Sequence, residues 1–187
     1  MEHRVFIAIN FNQQIRQKIS KYHLDIPQLP IHWTKKENLH VTLFFVGHVK
    51  DEIISEIIDI AEEVAEKHSP FFLELNKIGY GPNDKKPRMV WLTGKKSKEM
   101  GELKNDLEKR ISNIPEQKIS TFKEGLTPHV TLGRLIKTDF REMKEKPIID
   151  KNVSIKFEVF SIDVIESELN SNGAQYTVLQ SVNFKRP

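Results

Sequence analysis

The chain has 187 residues, 38% hydrophobic and 29% charged, with a formal net charge of +3; this fits one substantial core or two small lobes and excludes a disordered or large multidomain protein. Cysteine is absent, which removes disulfide frameworks, thiolate nucleophiles and thiolate-bound metal centres. The longest apolar runs, VFIAI at 5–9 and VTLFFVG at 41–47, are too short to span a bilayer, and the N-terminal MEHRVFIAIN lacks the features of a secretory signal, so a cytoplasmic location is expected.

In chain order, a strand is predicted near 3–9, followed by a helix near 12–23 with Asn12 as its cap and Ile15, Ile19 and Tyr22 at helical spacing. Pro27 and Pro30 then break the chain. Residues 39–47, rich in β-branched and aromatic side chains, read as a buried strand. The helix at 51–67 places Ile54, Ile57, Ile58, Ala61 and Val64 on one stripe, with acidic residues first and Lys67 last. A strand at 71–78 leads into YGPNDKKPR at 80–88, a loop by composition.

The order of elements then starts again. A strand is predicted at 88–93 and a helix at 97–112, with Ser97 as N-cap and Met100, Leu103, Leu107 and Ile111 facing inward. A further strand, a short helix near 138–146, a strand near 153–165 and a last strand near 174–184 complete the chain. The series strand, helix, strand, helix, strand is legible at roughly 3–78 and again at 88–165. This predicts an internal duplication inside a single domain spanning 1–187.

The third element of each series carries the same four residues. HVTL stands at 40–43 within ENLHVTLFFVG and at 129–132 within TPHVTLGRL. In a strand, residues two apart share a face, so His40 projects with Thr42, and His129 with Thr131, while Val41, Leu43, Val130 and Leu132 face a core. Either histidine taken singly reads as structural; the pair, in matching contexts, points to chemistry. If the lobes are related by an approximate two-fold axis, the polar faces meet across a cleft with the imidazoles on opposite sides of whatever binds. That arrangement suits in-line displacement at phosphorus, where one oxygen loses a proton while another gains one. The threonine hydroxyls would hold the non-bridging oxygens. No metal or other cofactor is required.

The paired motif, together with RVFIAI, HWTKKENLHVTLFFVG, PRMVWL, TPHVTLGR and ESELNSNGAQYTVL, resembles the two-histidine phosphoesterase superfamily, in particular its RNA 2',3'-cyclic phosphodiesterase branch, also called 2'-5' RNA ligases. The resemblance implies a bilobal, duplicated α+β fold, with a mainly antiparallel sheet and flanking helices in each lobe and a central cleft carrying both motifs. It implies metal-independent hydrolysis of a terminal 2',3'-cyclic phosphate to a 2'-phosphomonoester, with His40 as general acid, His129 as general base and Thr42 and Thr131 on the phosphate. By symmetry alone the two histidine roles are interchangeable. The resemblance also implies a phosphate contact for Arg134. Strand parity sets Arg134 opposite His129, so reaching the cleft demands a bend or bulge near Gly133.

Further candidates rest on less. Phe44 nominally shares the face of His40 and could stack on a nucleobase; Tyr176 could line the cleft, with core packing as the alternative for both. Trp33 and Trp91 read as packing. His32 and His48 lack metal-ligand spacing, and the lysine pairs at 35–36, 85–86 and 95–96 read first as solvated surface. Expected partners are RNA ends or nucleotides bearing a 2',3'-cyclic phosphate, with no membrane, and a monomer is the default. Two other functions stay open: a nucleotide- or RNA-binding module without turnover, and 2'-5' ligation, which the same acid and base would run in reverse.

Overall fold

The structure, a computed structural model, describes residues 1–115, 127–170 and 173–185. Its strands are β1 (Glu2–Asn10), β2 (Ile31–Trp33), β3 (His40–Lys50), β4 (Phe71–Gly81), β5 (Met89–Gly94), β6 (His129–Leu135), β7 (Asp150–Val159), β8 (Ser161–Asn170) and β9 (Gly173–Asn183). The helices are α1 (Gln13–Ser20), α2 (Asp51–Ala65), α3 (Lys98–Ile111) and α4 (Lys137–Glu142). Both predicted caps form: Asn12 Oδ1 accepts the Ile15 N–H at 2.9 Å, and Ser97 Oγ accepts the Met100 N–H at 3.1 Å. Among the described residues no helix is long and apolar enough to cross a membrane.

Three predicted elements differ, and β2 lies in a stretch for which none was expected; of the three, the helix expected near 138–146 ends at Glu142. The first helix stops at Ser20 and tightens into a 3₁₀ turn over Lys21–Asp25, a common way for a helix end to satisfy its last carbonyls. The strand predicted at 153–165 is two strands. Val153, Ile155, Phe157 and Val159 turn inward at odd numbers, whereas Ile162 and Val164 turn inward at even ones. The phase changes at the exposed Phe160, where the chain leaves one sheet for the other.

The strands form two sheets, ordered β3-β1-β8-β9 and β2-β6-β5-β4-β7, with neighbours antiparallel throughout. Apart from the short β2, the orders correspond: each HVTL strand lies beside the strand that opens its repeat, and that opening strand lies in turn beside a strand from the other half. Thus β8 enters the first sheet and β4 the second. Behind both sheets, one continuous apolar core joins Ile7, Val41, Leu92 and Val130 to Ile57 of α2 and Leu103 and Leu107 of α3.

One ionic cluster pins the start of β1. His3 donates from its two ring nitrogens to Glu166 and Asp51, and Asp51 also pairs with the N-terminal amine at 3.1 Å. Glu166 first, and then Asp51, raise the His3 pKa above 6.5. A raised value favours folding below the unfolded pKa, and the benefit disappears as pH rises through the folded one. His3→Gln should therefore lower Tm at pH 5.5 and leave it nearly unchanged at pH 9 in thermal melts; an equal loss at both would refute the assignment.

Candidate active site

The two HVTL strands do the same unusual thing at the same place. Along β3, Ala8 pairs with Thr42 but Ile7 pairs with Phe44, so Leu43 is an extra residue. Along β6, Trp91 pairs with Thr131 but Val90 pairs with Gly133, so Leu132 is extra. Each bulge reverses the alternation that follows it. As a result the residue five beyond each histidine, Phe45 or Arg134, returns to the histidine's face.

The bend expected near Gly133 is thus present, and Arg134 faces the cleft. Gly133 has a second reason to be glycine: a Cβ there would come within 2.7 Å of the Ile31 side chain, on the neighbouring β2. Phe44 is a correction. The bulge turns it into the core, 4% exposed, and leaves Phe45, 44% exposed, on the cleft face. Aromatic identity at both positions concealed the switch.

The histidine faces of the two sheets line one cavity of about 890 Å³, whose walls include His40, His129, Thr131, Arg134, Phe45 and Tyr176. Thr42 is half-buried behind His40, its hydroxyl 2.9 Å from His40 Nε2, and unlike Thr131 it is not among the residues that line the cavity. Tyr176 packs edge-on against His40, ring centroids 5.4 Å apart, and Phe6 lies 5.1 Å from the same imidazole. Across the cleft, Trp91 stacks on His129 with centroids 4.2 Å apart. Trp91 and Trp33 both pack, as expected, Trp91 on the His129 ring and Trp33 against the core, and Trp33 also lines the cavity. The side on which Trp91 packs was legible, because Val90 and Leu92 claim the core side of β5 and leave the tryptophan opposite.

His40 has a defined proton. The Asn38 carbonyl, 2.7 Å from Nδ1, can only accept, so Nδ1 carries the hydrogen. Neutral His40 consequently presents its Nε2 lone pair to the Thr42 hydroxyl. Burial pushes the His40 pKa down to about 4, against the Asn38 hydrogen bond, with His129 and Arg16 adding like-charge repulsion. Arg16 Nε is itself buried, with no hydrogen-bond partner among the described residues.

That depression has a stability consequence of the opposite sign to His3. The unfolded chain takes up a proton near pH 6.5 that folded His40 refuses until about pH 4, so the stabilisation is present above 6.5 and lost as pH falls. About 3 kcal/mol should disappear between pH 7 and pH 4. Denaturant titration of the wild type and of His40→Asn checks this: the variant should lose distinctly less stability over that range.

On the second sheet, Met89 collects three donors on its sulfur: Trp91 Nε1 at 3.2 Å, Thr131 Oγ1 at 3.9 Å and an Arg134 Nη at 4.0 Å. Thioether sulfur is a weak acceptor. It orients the hydroxyl and the guanidinium while leaving both easily transferred to a stronger acceptor such as a phosphoryl oxygen. Nothing in the sequence marked Met89 or Asn38 as supporting residues. Among the described residues no cluster of His, Cys, Asp or Glu has metal-binding geometry.

Two antiparallel sheets that each carry a His-x-Thr strand and present its histidine to a shared cleft define a protein of the two-histidine phosphoesterase class. The sequence model of the 2'-5' RNA ligase superfamily matches residues 11–170, and the chain belongs to that family. A Methanocaldococcus jannaschii protein named RNA 2',3'-cyclic phosphodiesterase is 29% identical over 95% of this chain and 98% of its own. An Aquifex aeolicus protein of the same name is 30% identical over 79% of each. Among solved structures, TT0787 of Thermus thermophilus superimposes with a TM-score of 0.84 at 21% identity, covering 98% of both chains. E. coli LigT complexed with 3'-AMP gives 0.76 at 24% identity over the full length of both. These two likenesses bear on the fold.

Proposed function

We propose that this protein hydrolyses terminal 2',3'-cyclic phosphates on RNA to 2'-phosphomonoesters. The observation that carries the reading is the convergence of His40 and His129, from different sheets, on one cavity. The names of the relatives that match along most of the chain agree with it. In the reaction His129 takes a proton from water as its oxygen attacks phosphorus, the bond from phosphorus to the 3' oxygen breaks, and His40 donates a proton to that oxygen. Thr42, Thr131 and Arg134 bind the non-bridging oxygens, where charge accumulates in the transition state. Phe45 and Tyr176 flank the space left for the terminal nucleoside.

His40 is neutral in the free protein, and an acid must carry a proton. The anionic diester supplies the correction, because a negative charge against the ring raises its proton affinity. Substrate binding and protonation of His40 are therefore linked. The same groups would run ligation to a 5'-hydroxyl, but water at bulk concentration favours hydrolysis.

The test is incubation of the purified protein with RNA ending in a 2',3'-cyclic phosphate, in the presence of chelator, followed by separation of 2'- from 3'-phosphate products. A 2'-phosphate product supports the reading. Tight nucleotide binding with no product over long incubation would replace it with a binding module, and a 3'-phosphate product would overturn the proposed leaving group.

A further inference from the structure

Residues paired directly across a sheet share a face, so the register of the second sheet extends the cleft beyond the histidine. One row runs His129, Thr93, Lys77 and Asn152; the next runs Thr131, Trp91, Gly79 and Asp150; a third runs Arg134, Met89 and Gly81. Past Trp91 two of the rows meet glycines: Gly81 lies under the Trp91 indole, while Gly79, beside Lys77, adds no side chain to the strip. Along that strip lies a second cavity of about 540 Å³, lined by Lys77, Gly79 and Thr93 of the sheet together with Lys85 and Lys146 from the flanking loops.

The first sheet shows that the scaffold does not require such a gap. Its rows equivalent by register are Thr42, Ala8, Asp163 and Ser181, and Phe45, Phe6, Ile165 and Val178. There Asp163 accepts from Asn10 and Ser181, and Ile165 packs with Phe6 and Tyr176. The position that Asp163 fills in the first sheet is Gly79 in the second, whereas Gly81, equivalent to Ile165, is covered by the Trp91 indole.

We propose that this strip is a binding site for the phosphodiester backbone of single-stranded RNA upstream of the reacting end, an inference that rests on the function proposed above. The site lies two strand spacings from β6, about 10 Å, so a mononucleotide held at His129 leaves it vacant and a longer chain crosses it. Its three lysines face two carboxylates, Asp84 and Asp150. Asp150 is engaged with Lys77 at 3.1 Å, which leaves the exposed Lys85 and Lys146 against Asp84 alone, a net positive charge beside an anionic chain. Lys146 is steadied over the Phe140 ring at 5.7 Å. Contact through the backbone makes the site indifferent to base sequence.

The test compares cytidine 2',3'-cyclic phosphate with a ten-nucleotide RNA carrying the same cyclic end, using the wild type, Lys85→Glu/Lys146→Glu and Lys85→Arg/Lys146→Arg. The charge reversal should raise KM for the ten-mer about tenfold or more and leave KM for the mononucleotide unchanged; the arginine pair should behave as wild type. Losing two phosphate contacts should also flatten the salt dependence of ten-mer binding by roughly 1.4 log units per log unit of salt. Equal effects on the two substrates, or none on the ten-mer, would overturn the site. Should the wild type turn over neither substrate, the hydrolytic reading fails by itself. Fluorescence titration with a 3'-phosphorylated ten-mer then reads the strip directly: a tenfold weakening in the reversed variant supports it, and an unchanged Kd refutes it.

Discussion

His40→Ala and His129→Ala are each expected to lower kcat on RNA with a 2',3'-cyclic phosphate end by about 10²–10⁴-fold, the usual loss when a positioned proton donor or acceptor is removed. The two losses should not add. If both groups serve one concerted displacement, the double variant should fall close to the worse single one, as for residues that act as a unit. Single-turnover assays measure this, and thermal melts at pH 7 identify loss of fold. His40 needs that control more, because its Nδ1–H satisfies the Asn38 carbonyl and its ring packs on Phe6 and Tyr176. Near-wild-type turnover in either folded single variant would remove the two-histidine mechanism.

Gly81→Ala should damage the cleft directly. A Cβ at Gly81 would stand 2.3 Å from Trp91 Cδ2, well inside contact distance, so the indole must move. That indole stacks on His129 and shares the Met89 sulfur with Thr131 and Arg134. A displacement on the order of 1 Å at the reacting groups costs about 10²-fold in rate, and overpacking costs about 1–3 kcal/mol of stability. A double-mutant cycle isolates the cause. In a Trp91→Ala background the stability loss from Gly81→Ala should vanish; if it persists, the strain lies in the β4 backbone rather than against the ring.

What could be read in the sequence and what could not divide along a physical line. Periodicity reveals which face of an element is apolar, and it gave the helices, most strands and the pairing of each histidine with its threonine. It carries no information about which sheet a strand joins, so β4 and β8 could not be assigned to lobes opposite their own halves. Bulges were legible only where chemistry forced them: Arg134 has no place in a core, so its parity conflict predicted one near Gly133. Phe44 and Phe45 are both at home inside or in a cleft, and the identical bulge at Leu43 stayed invisible. Met89 depends on cross-strand register that a single sequence does not encode, and Asn38 on the 3₁₀ turn just before β3, whereas the face taken by Trp91 was legible from its neighbours Val90 and Leu92.

The exchange of strands also sets how the molecule can move. The polypeptide passes between the sheets four times, from β1 to β2, β2 to β3, β3 to β4 and β7 to β8, and the last passage is the single residue Phe160. Jaws hinged on one linker can open wide for a ligand; jaws laced together this way cannot. The span between the imidazoles is consequently held by the lacing of the chain itself, and a ligand must fit that gap largely as it stands.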